Sequence, residues 1–538
     1  MTSWAKAGLL SPWWEWFITA VVLTGVMGVL LLRLGERLPF VFPWKPLVPF
    51  VLFVGFVGTS MLNPSHRPPN EIPFNLEAFE EAALHDPVLV PYVGDEFRDV
   101  RGQSEQDPGR AIALFYRFHL DFQKTFGSFD SPFESFIHDY EKNLKSEHSA
   151  WLPSCVTADV STLKRCLPLA LLALQASMLW RFLESRRLIR RLFLVVVANG
   201  VLLAVAGTLQ KLSYEPGDHL KEIWGLWDAP EPRYYFASFT YKNHWSAFSL
   251  LCLGVATGLA WRELRRKGSL AWREPMLLGC MVAAVLIAIT IPLSGSRSGT
   301  LFLISFLLSI ALVAGWSVTR RFVTIPKRWA AFGGTVSVCM LATGSVVWFG
   351  AGLHRETEAE AVTNTLGQWE DFRQGSPPLR YYLWKDTFKM FLDKPVFGHG
   401  LGSFRALHPV YQSQEYKRQR EFGLAYAHRP LKPLTEHSHN DWLQYLAETG
   451  VVGVVLLVFM PALGLWQHRR RWKSMTTVWA LLGCLFFAAY SFMDFPSRTP
   501  ACLVLFAITF SLTLKHAVLD EKRGHFGRRR KGLKGKVV

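Results

Sequence analysis

The chain is dominated by uninterrupted apolar runs of about 17–22 residues, each long enough to cross roughly 30 Å of hydrocarbon. Eleven such runs lie at 14–32, 46–62, 167–182, 192–209, 244–261, 276–293, 300–316, 330–351, 446–466, 477–493 and 499–516. A backbone in lipid must satisfy its own hydrogen bonds, so open-ended spans of this length are helices. The expected fold is therefore an all-α polytopic membrane protein with about eleven transmembrane helices. A membrane β-barrel is excluded, because its strands run about ten residues and alternate in polarity. Only 19% of residues are charged and 50% are hydrophobic. Soluble domains carry roughly 25% charge, so a soluble enzyme, a disordered chain and a fibrous protein are excluded too. The first run lacks a small-x-small cleavage site and is followed at once by further runs, so it reads as a span and not as a cleaved signal.

The 538 residues hold 59 Lys+Arg against 42 Asp+Glu, a net charge of +17. That balance suits a nucleic-acid binder, but its placement does not. The connections 33–45, 181–191, 262–275, 317–329 and 467–473, with the tail 521–538, hold 29 Lys/Arg and only 5 Asp/Glu. The positive-inside rule places these alternate segments in the cytoplasm, with the N-terminus outside and the C-terminus inside. The tail bearing Arg528, Arg529, Arg530, Lys531, Lys534 and Lys536 reads as a topology anchor on anionic membrane lipid, and no nucleic-acid partner is expected.

This reading divides the chain into helices one and two (1–62), an outside insert (63–166), helices three to eight (167–351), a second large outside loop (352–445), helices nine to eleven (446–516) and a basic cytoplasmic tail (517–538). The insert carries 17 acids and 10 bases. Loops above about 15 residues in a compact protein usually carry function or their own fold. Of seven cysteines, Cys155 and Cys166 fall in or beside the insert, where they can pair or stand as two free thiols.

Ion-coupled transport needs ionisable groups at mid-membrane. No Asp, Glu, Lys, Arg or His lies in the central part of any span; His244, Glu448 and Asp494 stand at span ends. The polar chemistry gathers on the outer face, as a reaction on a substrate presented there requires. Four elements carry it. The outside turn Ser294-Gly295-Ser296-Arg297-Ser298-Gly299 sets one guanidinium among small residues, where it can grip phosphate oxygens in a bidentate fork or simply snorkel from a tight turn. The segment from Arg380 through Trp384 to Phe391 places Tyr381, Trp384, Phe388 and Phe391 in one helical stripe, followed by the glycine-rich run Gly398-His399-Gly400-Leu401-Gly402. Such a helix can lie on the membrane or pack over the span ends. Ahead of span nine stands His437-Ser438-His439-Asn440, with Glu448, Gly450 and Gly453 following. A histidine there can take a proton from a hydroxyl, or the pair can be structural; a metal site has no third ligand at plausible spacing. At the outer end of span five, Asn243-His244 follows a run of aromatics that alone would make an interfacial anchor.

Taken in this order, the four elements resemble the O-antigen ligase/O-antigen polymerase superfamily of bacterial envelope glycosyltransferases, over roughly residues 190–515. The first four spans and the 63–166 insert are poorly covered by that resemblance. It implies a GT-C-like enzyme of the bacterial inner membrane with two large periplasmic loops, the second of them catalytic. It implies transfer of a glycan from undecaprenyl pyrophosphate to a hydroxyl of another glycan, of lipid A core or of a protein, with no cofactor and no metal. The family's two arginines and histidine fall on Arg297, Arg380 and His439, with His437, Asn440, Asn243, His244 and Trp384 as expected substrate contacts. His437 and His244 are the alternatives for the base. Repeat-unit polymerase, protein O-oligosaccharyltransferase, a bicarbonate-like small-anion transporter and a non-catalytic envelope scaffold all remain open at this point.

Overall fold

The computed structural model describes mainly residues 44–63, 152–156, 160–213, 235–319, 324–353, 379–413, 435–471 and 474–534, with a few isolated positions between. The expected span 14–32, most of the insert, and much of the second large loop lie outside the described residues.

The described chain is almost wholly helical. In order it forms α1 (Trp44–Leu62), α2 (Val160–Phe182), α3 (Arg186–Leu212), α4 (Lys242–Lys267), α5 (Pro275–Leu293), α6 (Arg297–Thr319), α7 (Ile325–Gly352), α8 (Leu379–Asp393), α9 (Phe404–Tyr411), α10 (Asp441–His468), α11 (Met475–Tyr490) and α12 (Pro500–Lys534). A two-residue antiparallel ladder pairs β1 (Glu222–Ile223) with β2 (Trp227–Asp228). Among the described residues seven helices are long and apolar enough to cross a membrane, and Leu47–Leu62 and Met475–Tyr490 are shorter apolar helices. The protein is thus an all-α polytopic membrane protein. The described residues do not establish a count of eleven spans.

The chain divides into two compact units. The first comprises Met1–Leu47, Leu171–Thr365 and Pro461–Val538; the second comprises Val48–Ala170 and Leu366–Met460.

The first unit is built around α4, which is buried along nearly its whole length and packs on α3, α5 and α11. Lipid tails are as apolar as leucine, so helices in a membrane associate by close packing, and small residues permit it. Gly254 and Gly258 on α4 meet α11 in this way: a Cβ at Gly254 would stand 2.7 Å from the Trp479 carbonyl oxygen, and one at Gly258 2.9 Å from that of Thr476. The Thr476 hydroxyl donates to the Gly258 carbonyl at 3.1 Å across the same seam. Ionic pairs close the basic end of this bundle, where Glu263 is paired by Arg262 and Arg266, and Arg186 on α3 pairs with Asp520 on α12.

The second unit has a smaller core of Val156, Leu383, Met390, Phe404, Leu407, Tyr416 and Ala447. It gathers α8, α9, the first turns of α10 and the end of the insert. Cys155 and Cys166 are both buried, and no disulfide joins them in this structure.

Candidate active site

In the first unit, the turn between α5 and α6, the start of α4 and the turn between α11 and α12 meet at one end of the bundle. Gly295 makes the α5–α6 turn with φ +74°, and Arg297 opens α6 with its side chain exposed. Behind it runs a buried polar network. The Ser296 hydroxyl donates to Asn243 Oδ1 at 2.7 Å. Asn243 Nδ2 donates to Asp494 Oδ2 at 2.5 Å and to the Tyr241 hydroxyl at 3.0 Å. The Tyr490 hydroxyl stands 3.3 Å from Ser296 Oγ and 3.0 Å from Ser298 Oγ. Buried polar groups of this kind cost free energy unless paired, and a satisfied network fixes one geometry. Asn243 therefore spends its amide on holding the arginine-bearing turn.

His244 is fully buried. Its Nδ1 stands 2.7 Å from the Thr499 hydroxyl, and its ring packs edge-on against Tyr241 and Phe495. Tyr490, Asp494 and Thr499 complete this cluster. Sequence reading had only an acid at a span end to point to them.

The second unit holds Arg380, Trp384, His437, His439 and Asn440. Arg380 sits half-buried in the first turn of α8. The expected stripe of Tyr381, Trp384, Phe388 and Phe391 is not the packed face. Leu383, Asp386, Thr387 and Met390 are buried instead, while Tyr381 and Phe388 are exposed and Trp384 and Phe391 are half-buried. The reason is local pairing. Asp386 Oδ2 accepts from the backbone N–H of Ser413 at 2.9 Å and from its hydroxyl at 3.0 Å, and the Thr387 hydroxyl donates to the Leu383 carbonyl. Burial pushes the Asp386 carboxyl up, against the pull of those two Ser413 bonds. The indole N–H of Trp384 is buried and meets no acceptor among the described residues.

After α8 the glycine-rich run straps itself to a break in α10. Gly450 has φ +61° and ψ −172°, outside the helix. In an unbroken helix Val451 and Val452 would donate to Ala447 and Glu448. Here Val451 N–H donates to the Pro395 carbonyl at 2.9 Å and Val452 N–H to that of Val396 at 3.1 Å. The released Ala447 and Glu448 carbonyls accept from His399 N–H at 3.1 Å and Gly400 N–H at 2.7 Å. Two helical bonds are exchanged for four crossing ones. Only glycine fits at 450, since a Cβ would collide with the Val396 carbonyl and stand 2.6 Å from Phe397 N. His399 is buried beneath the strap with Nε2 donating to the Met390 carbonyl at 2.9 Å; burial, with Lys394 nearby, lowers its pKa to about 4.

The end of the insert is stitched to the same strap. Val156 N–H donates to the His399 carbonyl at 2.9 Å, and the Thr162 hydroxyl to that of Leu401 at 3.0 Å. Lys394 Nζ donates to Ser154 Oγ at 3.1 Å.

Asn440 Oδ1 caps α10 by accepting from Leu443 N–H at 3.0 Å, and the Ser438 hydroxyl donates to the Asn440 carbonyl at 2.8 Å. Gln444 accepts from Ser438 N–H at 3.1 Å and donates to the fully buried Glu448 carboxylate at 2.8 Å. Between these fixed neighbours His439 is half-buried, with φ +53°. A positive φ is uncommon for any residue but glycine. His437 is also half-buried. Among the described residues, no group of three or more His, Cys, Asp or Glu stands together as a metal site would require.

Curated proteins gave no match to the chain. Residues 282–458 match the family model described as O-antigen ligase. That segment contains Arg297, Arg380, Trp384, His437, His439 and Asn440, whereas Asn243 and His244 precede it. The match supports the O-antigen ligase/polymerase superfamily, and O-antigen ligase-like or polymerase-type activity in general.

Proposed function

We propose that this protein is a glycosyltransferase of the bacterial inner membrane. It moves a glycan from undecaprenyl pyrophosphate to a hydroxyl presented at the periplasmic face. The observation that carries the reading is the O-antigen ligase match, whose residues 282–458 include both arginines and the histidine assigned to the chemistry. Breaking the sugar C1–O bond leaves charge on a pyrophosphate. Arg297 and Arg380 neutralise it with planar forks, an electrostatic contribution of about 2.7–4 kcal/mol where a single preorganised donor has been removed from other enzymes. His439 takes the proton of the attacking hydroxyl, and attack opposite the leaving group inverts the anomeric centre. The proton goes to the imidazole and the bonding pair leaves with the pyrophosphate, so no metal is needed.

The orientation follows from the same reading. The six segments with 29 Lys/Arg and 5 Asp/Glu lie in the cytoplasm, and the 63–166 and 352–445 loops lie in the periplasm. Asn243 supports the Arg297 turn through the Ser296 hydroxyl, and Asn243, His244, Trp384, His437 and Asn440 are the candidates for contact with the glycan.

The test is transfer by purified protein from a prenyl-pyrophosphate glycan, with and without EDTA. Arg297→Lys and Arg380→Lys keep the charge but lose the bidentate fork, so each is expected to remove most of the transfer while the protein still inserts. Wild-type rates in both variants would refute pyrophosphate recognition by these side chains. Inhibition by EDTA that a divalent ion reverses would refute the metal-free scheme.

A further inference from the structure

We propose that the outward face of α8 is a membrane-docking surface that lies in the headgroup and upper acyl region of the bilayer. Two faces of this helix are distinct. Leu383, Asp386, Thr387 and Met390 seal the core of the second unit. At 100° per residue, Tyr381, Phe388 and Leu392 fall on the opposite side. Their exposed apolar surface continues past the end of the helix to Val396.

What lies against this face follows from the strap. The Val452 N–H bond to the Val396 carbonyl, 3.1 Å, fixes Val396 at the start of the apolar stretch of α10, a helix long and apolar enough to cross a membrane. Val451, Val455 and Phe459 repeat there at intervals of four and form one exposed stripe. All seven residues, from Tyr381 through Val396 to Phe459, are between 46% and 55% exposed. The stripe on a spanning helix faces lipid, and the face of α8 is its continuation at the end of the span. Contiguous apolar surface of this kind marks an interaction site. Aromatics with flanking lysines are what an interfacial helix presents, the rings at the acyl boundary and the ammonium groups reaching to anionic headgroups. Lys385 and the half-exposed Lys389 stand beside the apolar face and supply that charge.

The consequence for Arg380, which rests on the proposed transferase reading, is that the first turn of α8 holds its guanidinium at headgroup depth, where the pyrophosphate of a prenyl-linked donor lies. The immersion itself does not depend on that reading.

The experiment uses the full chain in nanodiscs of phosphatidylcholine and phosphatidylglycerol, with a bimane label on Phe388→Cys or, should that variant fail to fold, on Leu392→Cys. The unsubstituted protein serves as the labelling blank, and Glu415→Cys, an exposed site in the same unit, is the aqueous reference. Brominated acyl chains are expected to quench the label at 388 or 392 several-fold more than at 415, and aqueous iodide to do the reverse. Adding Phe388→Asp to the Leu392→Cys protein is expected to reduce the lipid quenching. Iodide quenching at 388 equal to that at 415 would overturn the proposal. Protection from both quenchers would overturn it too, by showing that protein covers the face. Because no step of this readout needs turnover, its failure is distinct from failure of the transferase reading.

Discussion

Replacing Gly450 by alanine tests whether the break in α10 organises the second unit. Two costs fall together at this position. An L-residue at φ +61° and ψ −172°, a region essentially reserved for glycine, gives up about 1–3 kcal/mol. The new Cβ also enters the space of the Val396 carbonyl and the Phe397 amide, and backbone cannot swing aside as a side chain can; overpacking of this kind typically costs about 1–3 kcal/mol. Together these give roughly 2–6 kcal/mol, a large fraction of the roughly 5–15 kcal/mol that holds a typical protein folded. The strap must retreat, so the four crossing bonds lengthen and the turns of α10 nearest His439 lose their support. Two controls separate the terms. Gly268 has φ +58° with nothing within 4 Å of an added Cβ, so Gly268→Ala carries only the backbone cost. Gly333 lies within α7 with open space around it and no positive φ, so Gly333→Ala is neutral or mildly stabilising, by up to about 1 kcal/mol. Thermal unfolding in detergent, followed by tryptophan fluorescence, should rank the melting temperatures Gly333→Ala highest, Gly268→Ala next and Gly450→Ala lowest, with transfer lost only in the last. If Gly450→Ala melts with Gly333→Ala, the reasoning about the strap is wrong.

Two further outcomes are expected. His399 has a folded pKa lowered to about 4 from an ordinary value of 6.5, chiefly by burial, so the unfolded chain binds a proton that the folded one refuses. Its contribution is fully present above pH 6.5 and is lost as pH falls toward 4; the melting temperature should drop over that window, and less steeply in His399→Gln. An impermeant reagent on intact cells should label tags placed in 63–166 and 352–445 but not one at the C-terminus, and a labelled C-terminal tag would invert the proposed topology.

The helices were legible because apolar run length reports directly on hydrocarbon thickness. Which side of α8 faces inward was not. Its 3.6-residue periodicity identified a helix, but the buried side was chosen by Asp386 finding Ser413, 27 residues away in sequence. Nor does anything local to Asn243 show that its amide reaches Asp494, 251 residues on. The exchange of backbone bonds at Gly450 leaves only glycines in the sequence, and a glycine does not say what approaches it. Local pattern gives the element; the partner of a buried polar group is a long-range fact.

His439 itself provides the sharpest test of function against structure. Its φ of +53° is a conformation that asparagine tolerates better than histidine, because a short polar side chain can bond locally there. A histidine held in it carries local strain of order 1 kcal/mol or more, and such strain persists only where the surroundings over-determine it. Here they do. Ser438 is tied to Gln444 and to the Asn440 carbonyl, and Asn440 caps α10, so the backbone on both sides of 439 is fixed. A purely structural histidine at this point would gain from replacement by asparagine. A base would lose its chemistry. His439→Asn is therefore expected to leave the melting temperature equal or higher while transfer falls by about 10²–10⁴-fold, the usual worth of a positioned acid or base. Full activity in the asparagine variant would remove His439 as the base. A lowered melting temperature with activity retained would show that the imidazole earns its place by packing alone.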